Sequence, residues 1–272
     1  LLCNSMILNV EHRTSYRYAE TLLRSIQLIH LTPRENERQH VISWSLELPS
    51  KGVVSKDCFG NITHYFTLEG RFSELEVIAR GVVEVFPFRA NMELGTLPLD
   101  YYLRITPLTE LGVKLRSFVD EFVQQYSAFK LDVSNSLAML NALSARILQL
   151  VPYTSGATSA TTTAQEAFEL GAGVCQDHSH IFLGCCRYLG LPARYVSGYL
   201  HTDDSSHLAS HAWAEVWLGS WYSFDVSNQC AAGEQYIELA YGLDFLDSSP
   251  IRGSRIGGGD ETLMVKSLVT EQ

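Results

Sequence analysis

The sequence predicts an α+β fold on three observations. Apolar runs broken by turns fill the first third, helical periodicity takes over after Pro107, and strand patterning returns after Pro192. The early runs cover residues 6–10, 41–48, 62–68 and 75–86, with Lys51-Gly52 and Phe59-Gly60-Asn61 as punctuation. Alternation is clearest from Glu74 to Val85, so residues 6–88 read as an N-terminal antiparallel β module. Pro87, Pro98 and Pro107 mark an irregular connector, and residues 89–272 read as that connector plus a second, chemistry-bearing core.

In the core, Leu111, Leu115, Phe118, Val119, Phe122 and Val123 form one apolar helical stripe. A second helix is expected from about Asn135, read as its cap, through Leu140, Leu143, Ile147 and Leu150 to a stop before Pro152. A third spans 163–170 and is closed by Gly171 and Gly173; a fourth runs from Cys175 to Tyr188 or Leu189, ended by Gly190 and Pro192. Strands follow at 193–200, 211–218 and 221–226, with a last one near 263–269.

Composition removes several classes of function. Hydrophobic residues make up 46% of the 272, enough for a core, and 30 acidic against 20 basic side chains give a formal charge of -10 that repels phosphate backbones. No apolar run approaches the roughly 18 residues of a membrane helix. Neither nucleic acid nor membrane is an expected partner. The six cysteines, at 3, 58, 175, 185, 186 and 230, form no dense disulfide framework, and no leader peptide is visible, so a reducing, cytoplasmic setting is expected. No calcium loop is present and no cofactor or metal is expected.

The informative segment is Gly171-Ala172-Gly173-Val174-Cys175-Gln176-Asp177-His178-Ser179-His180, which delivers a cysteine to the first turn of an apolar helix. Unpaired amides and the positive end of the helix dipole favour thiolate there, and the same amides can hold a developing oxyanion. Cys185 and Cys186 lie further along the helix, the latter some 16 Å away at about 1.5 Å per residue, and read as buried apolar residues. His178 and His180 read as packing residues and Asp177 as a helix-start residue. A thiol nucleophile needs a base, and the base an orienting acid. His211 opens a strand in which Ala212, Ala214 and Val216 would face the core, and Asp225 ends the next. The two share a face only if the intervening loop has an odd number of residues, such as Leu218-Gly219-Ser220; a two-residue Gly219-Ser220 turn would put Asp225 behind the sheet. Two other classes stay open: a zinc site from Cys175-x-x-His178 with His207-x-x-x-His211, which lacks a second Cys-x-x-Cys, and a binding protein with a retired site.

GVCQDHSH, LGLPARYVSGYL, SHAWAEVW and WYSFDVSNQ resemble the transglutaminase-like core. HRTSYRY, LTPR and FGN resemble the β module preceding it in bacterial members, and AYGLDFLDSSPIRG resembles the family's tail. The resemblance implies a papain-like helix packed on an antiparallel sheet and maps nucleophile, base and acid onto Cys175, His211 and Asp225. It implies thiol acyl transfer on a peptide or protein substrate, as a peptidase, amidase or transglutaminase. Of these, hydrolysis is the expected outcome. Tyr153 and Gln176 are candidates for a second oxyanion donor, and Trp213 for a cleft wall. The chain departs from the family at Asp225-Val226-Ser227-Asn228, where Asp-Pro-Thr is usual, and at Leu243, where an arginine is expected. The polar loop 201–210 is a candidate lid.

Overall fold

The computed structural model describes residues 5–87, 92, 95–126, 129–130, 132–202 and 210–272. Cys3, His207 and the central part of the proposed lid, 203–209, lie outside them.

The N-terminal module is one antiparallel sheet. Strand β1 (Met6–Ile29) lies beside β4 (Ile62–Val85), β2 (Gln39–Glu47) and β3 (Val53–Lys56) pair with β4, and the chain's last two strands complete the sheet. Three of the four short runs seen in the sequence, 6–10, 62–68 and 75–86, fall to within a residue in two 24-residue strands, and the run at 41–48 falls in β2. Register shifts between Arg17 and Arg24 bend the pair without ending it, and the polar residues at the bend read as turns from sequence alone.

Helices follow: α1 (Val113–Val123), α2 (Val133–Leu150), α3 (Ala164–Leu170) and α4 (Cys175–Tyr188). Asp132, not Asn135, caps α2, its carboxylate accepting from Asn135 N at 2.8 Å. Thr163 and Glu166 form a reciprocal capping box on α3, and Gly171 closes that helix at φ 66°. The second sheet has the order β7 (Trp221–Phe224), β6 (Ser210–Trp217), β5 (Ala193–Leu200), β8 (Tyr236–Gly242), all antiparallel. β8 escapes sequence reading because all seven of its residues are buried, leaving no alternation to detect.

A short helix, α5 (Phe245–Ser248), leads into β9 (Ile251–Gly257) and β10 (Glu261–Glu271). These pair with β1, β10 along residues 8–18 and β9 along 22–29. Residues 251–271 therefore belong to the sheet of the first module, which corrects the division at residue 88: the chain leaves the module, builds the core and returns. The physical reason is the bare edge of β1, whose unpaired N–H and C=O groups find partners in the returning strands.

The core's sheet is covered on both faces. On one, Ile181, Phe182, Cys185 and Cys186 of α4 pack against Ala193, Tyr195, Ala212, Ala214 and Val216, the inward set that alternation in β6 predicts. On the other lie Val196, Trp213, Trp221, Tyr236 and Tyr241 with Phe59 and Tyr102, while Tyr199, Ile237 and Leu239 join the module's own core. Burial pushes the Cys185 and Cys186 thiols well up.

Charged side chains cross between the two sheets in a buried network. Arg194 and Glu215, both 0% exposed, pair at 2.6 Å, and Arg38 of the module reaches Glu215 at 3.4 Å. Arg34 pairs with Glu238 at 3.5 Å, and Gln39 exchanges two 2.8 Å hydrogen bonds with the Glu238 backbone. Asn61 of the FGN motif does likewise with Tyr241, at 2.8 and 3.0 Å. Charges this deep persist only when paired.

Candidate active site

Cys175 is the first residue of α4, and the loop before it is stitched in place. Thr154 N donates to Gly173 O at 2.7 Å, and Asp177 Oδ2 accepts from Val174 N at 2.8 Å and from Thr158 Oγ1 at 2.6 Å. Asp177 thus starts the helix, as its position suggests. A Cβ on Gly173 would lie 2.8 Å from the Asp177 Cβ, so glycine is required for that approach. The helix's first bond to residue i−4 here is His178 N to Val174 O at 3.0 Å, which leaves the amides of Cys175 and Gln176 directed ahead of the helix.

The hairpin carries the other two residues. Trp217 pairs with Trp221, so the loop is Leu218-Gly219-Ser220, an odd number, and the alternation that follows puts His211 and Asp225 on one face. Gly219 adopts φ 92° in that loop. His211 Nε2 donates to Asp225 Oδ2 at 2.6 Å, which leaves Nδ1 as the nitrogen for its hydrogen bond with the Cys175 sulfur. Burial opposes charge on this imidazole, but hydrogen bonds to Asp225 and Cys175, and their charges, raise its pKa to about 10. Asp225, 1% exposed, also suffers desolvation, yet the His211 hydrogen bond and charge hold it below the usual carboxylate range, helped by Asn228 and Tyr236.

Those two helpers were not found by reading the sequence. Asn228 N donates to Asp225 Oδ1 at 3.1 Å and Asn228 Nδ2 to Oδ2 at 2.7 Å; Tyr236 Oη donates to Oδ2 at 2.7 Å. Asn228 lies one residue past the Ser227 position where Asp-Pro-Thr would have ended; its backbone closes an Asx-type turn on Asp225 and its side chain clamps the acid. Tyr236 gives no sequence signal, because it arrives on the strand that alternation could not reveal.

The remaining candidates divide. Tyr153 is half-exposed beside the cysteine, its phenol pKa raised by burial and by the charges of Cys175 and Asp225. Gln176 turns its amide away, Nε2 donating to Ala160 O at 3.1 Å. Trp213 is buried under His211, rings 6.5 Å apart and nearly parallel, so it backs the imidazole rather than walling a cleft. His178 has both nitrogens engaged, with Ser227 Oγ at 2.8 Å and Val151 O at 2.7 Å, and is committed to joining α4 to its surroundings rather than to a zinc ion. His180 accepts from Phe245 N at 3.2 Å and, fully buried, has its pKa lowered to about 3.

Comparison with known proteins bears on the family and the fold. Residues 8–84 match the bacterial transglutaminase-like N-terminal region, and residues 125–226 match the transglutaminase-like superfamily. An uncharacterized protein of Mycobacterium tuberculosis is 30% identical over 269 residues, covering 90% of this chain and 86% of its own. One from Mycobacterium leprae is 29% identical over 281 residues, covering 97% and 98%. A solved structure from Cytophaga hutchinsonii, called a "Putative Cysteine Protease", superposes with a TM-score of 0.79 at 18% identity, covering 98% of this chain and 91% of that one; at that identity the likeness is one of fold. The chain belongs to the transglutaminase-like superfamily, a family of cysteine-dependent enzymes, and carries the N-terminal region of its bacterial members.

Proposed function

We propose that the protein is a thiol acyl-transfer enzyme that hydrolyses peptide or amide bonds through a thioester on Cys175. The observation that carries this reading is the single imidazole shared between a buried carboxylate at 2.6 Å and the sulfur at a helix start. The Cys175 thiolate attacks the substrate carbonyl carbon, and the resulting oxyanion lies against the amides at the start of α4. His211, protonated, gives its proton to the leaving amine as the C–N bond breaks, and the thioester remains. The neutral imidazole then takes a proton from water, whose oxygen attacks the thioester; collapse releases the carboxylic acid and regenerates the thiolate–imidazolium pair.

Hydrolysis is favoured over amine transfer because Cys175 is only partly buried, so water reaches the thioester. The test uses purified protein and a library of fluorogenic peptide amides. Cys175→Ala should abolish turnover, and added primary amine should divert only a minor part of the acyl group. Retained turnover in the variant would end the thiol mechanism. Near-complete aminolysis at modest amine concentration would replace hydrolysis with transglutamination.

A further inference from the structure

Asp225 Oδ2 accepts from three donors, and one comes from outside the hairpin that carries His211. Tyr236 Oη on β8 donates to it at 2.7 Å, beside Asn228 Nδ2 at 2.7 Å and His211 Nε2 at 2.6 Å. Tyr236 is held from several sides. Its ring meets Trp213 edge-on with centroids 5.4 Å apart, and Cys230 Sγ lies 3.2 Å from Oη. Because the phenolic proton goes to Asp225, the Cys230 thiol is the donor in that contact. Burial and the Asp225 charge raise the Tyr236 pKa, so the hydroxyl keeps its proton.

The N-terminal module brackets the segment that bears this tyrosine. Four residues before it, Ala232 O accepts from Arg38 Nη2 at 2.6 Å; two residues after it, Glu238 exchanges its backbone bonds with Gln39. On the other edge of β8, a bulge at Ser197 and Gly198 of β5 resets the register so that Leu200 faces Tyr236. Gly198 is obligatory there, since a Cβ would lie 2.0 Å from Ile237 O and 2.7 Å from the Trp213 ring.

We propose that Tyr236 is a positioning residue of the reaction: its hydroxyl fixes the plane of the Asp225 carboxylate toward His211, and the N-terminal module, through Arg38 and Gln39, holds Tyr236 in place. A carboxylate with few donors rotates between its two oxygens. With three donors on Oδ2 and Asn228 N on Oδ1, one orientation remains. The inference rests on the thiol acyl-transfer reading, in which Asp225 orients the base, and it gives the β module a part in the site that lies outside the family's three matched residues.

The experiment follows the Asp225 carboxyl through a pH titration by carbon NMR of protein labelled at aspartate side-chain carbonyls, with Asp225→Asn providing the assignment. Removing a donor to an anion favours its neutral form, so Tyr236→Phe should raise the Asp225 midpoint by about one pH unit, a roughly tenfold rise in proton affinity. Circular dichroism should report an unchanged fold, because the ring stays against Trp213. Tyr236→4-aminophenylalanine restores an N–H donor on the same ring and should return the midpoint most of the way. A midpoint unmoved in Tyr236→Phe, or no recovery with the amine, would overturn the role while leaving the acyl-transfer reading intact. Turnover retained in Cys175→Ala would instead sink that reading, whatever the aspartate does.

Discussion

Two polar centres are built on the same four-stranded sheet, His211 of one and Glu215 of the other lying on a shared face of β6, and they follow opposite principles. Cys175, His211 and Asp225 are assembled from one helix start and one hairpin, with His211 still 10% exposed at its side chain. The Arg34, Arg38, Arg194, Glu215 and Glu238 network draws on segments up to 204 residues apart, and its Arg194–Glu215 heart is sealed from water. The first keeps a charge available to react; the second neutralises charges so that two modules can close over them. The difference implies that substitutions in the first cost activity and substitutions in the second cost stability.

Cys175→Ala offers the largest effect on one side of that contrast. Turnover should vanish while the melting temperature stays within a few degrees, because little volume is removed. On the other side, Arg194→Met leaves Glu215 with one less partner in a buried setting. Breaking such a pair costs about 3–5 kcal/mol, read from urea unfolding. A stable Arg194→Met variant would break the comparison, as would a Cys175→Ala variant that unfolds.

Within the site, His211→Ala should lower kcat/KM by about 10²–10⁴-fold, the range for a lost acid–base catalyst. Asp225→Asn should be milder, since an amide can still orient an imidazole. Equal losses would deny Asp225 its orienting role.

A further effect is a pH dependence of stability. His211 has a folded-state pKa of about 10, above the ordinary 6.5, so the folded state binds more protons than the unfolded one between those values. Its stabilisation is complete below pH 6.5 and is lost as pH rises through about 10. His12 and His180, buried neutral with pKa values lowered to about 4 and about 3, act with the opposite sign: their contribution is present above 6.5 and fades as pH falls toward those values. His211→Gln should flatten the alkaline decline in urea midpoint and leave the acid decline alone; a slope unchanged on the alkaline side would contradict the raised imidazole.

The same division governs what sequence reading reaches. The start of α4 at Cys175, the buried pair Cys185 and Cys186, and the odd-loop rule linking His211 to Asp225 depend on local periodicity, which a sequence displays directly. Tyr236, the β8 strand and the return of residues 251–271 to β1 depend on contacts between distant segments, and β8, buried throughout, carries no alternation. Arg34 and Gln39 show no sign in the sequence that they meet Glu238, because a buried polar or charged side chain reads as a surface one until its partner is placed.

In the proposed reaction Cys175 is the reactive thiol of the molecule. Brief alkylation with iodoacetamide at pH 5.5, followed by peptide mapping, tests it most directly. An ordinary thiol near 8.5 is about one part in a thousand thiolate at that pH. Cys175 differs from the other described thiols in lying at a helix start with the His211 imidazole hydrogen-bonded to its sulfur, the arrangement by which a base activates a thiol nucleophile. Cys185 and Cys186 are sealed in the core, and Cys58, though exposed, is pushed up by burial and by the Asp57 charge. The Cys175 peptide should be labelled first, ahead of exposed Cys58 and Cys230. Labelling of Cys58 or Cys230 ahead of Cys175, or Cys175 protected until a chelator releases zinc, would contradict it.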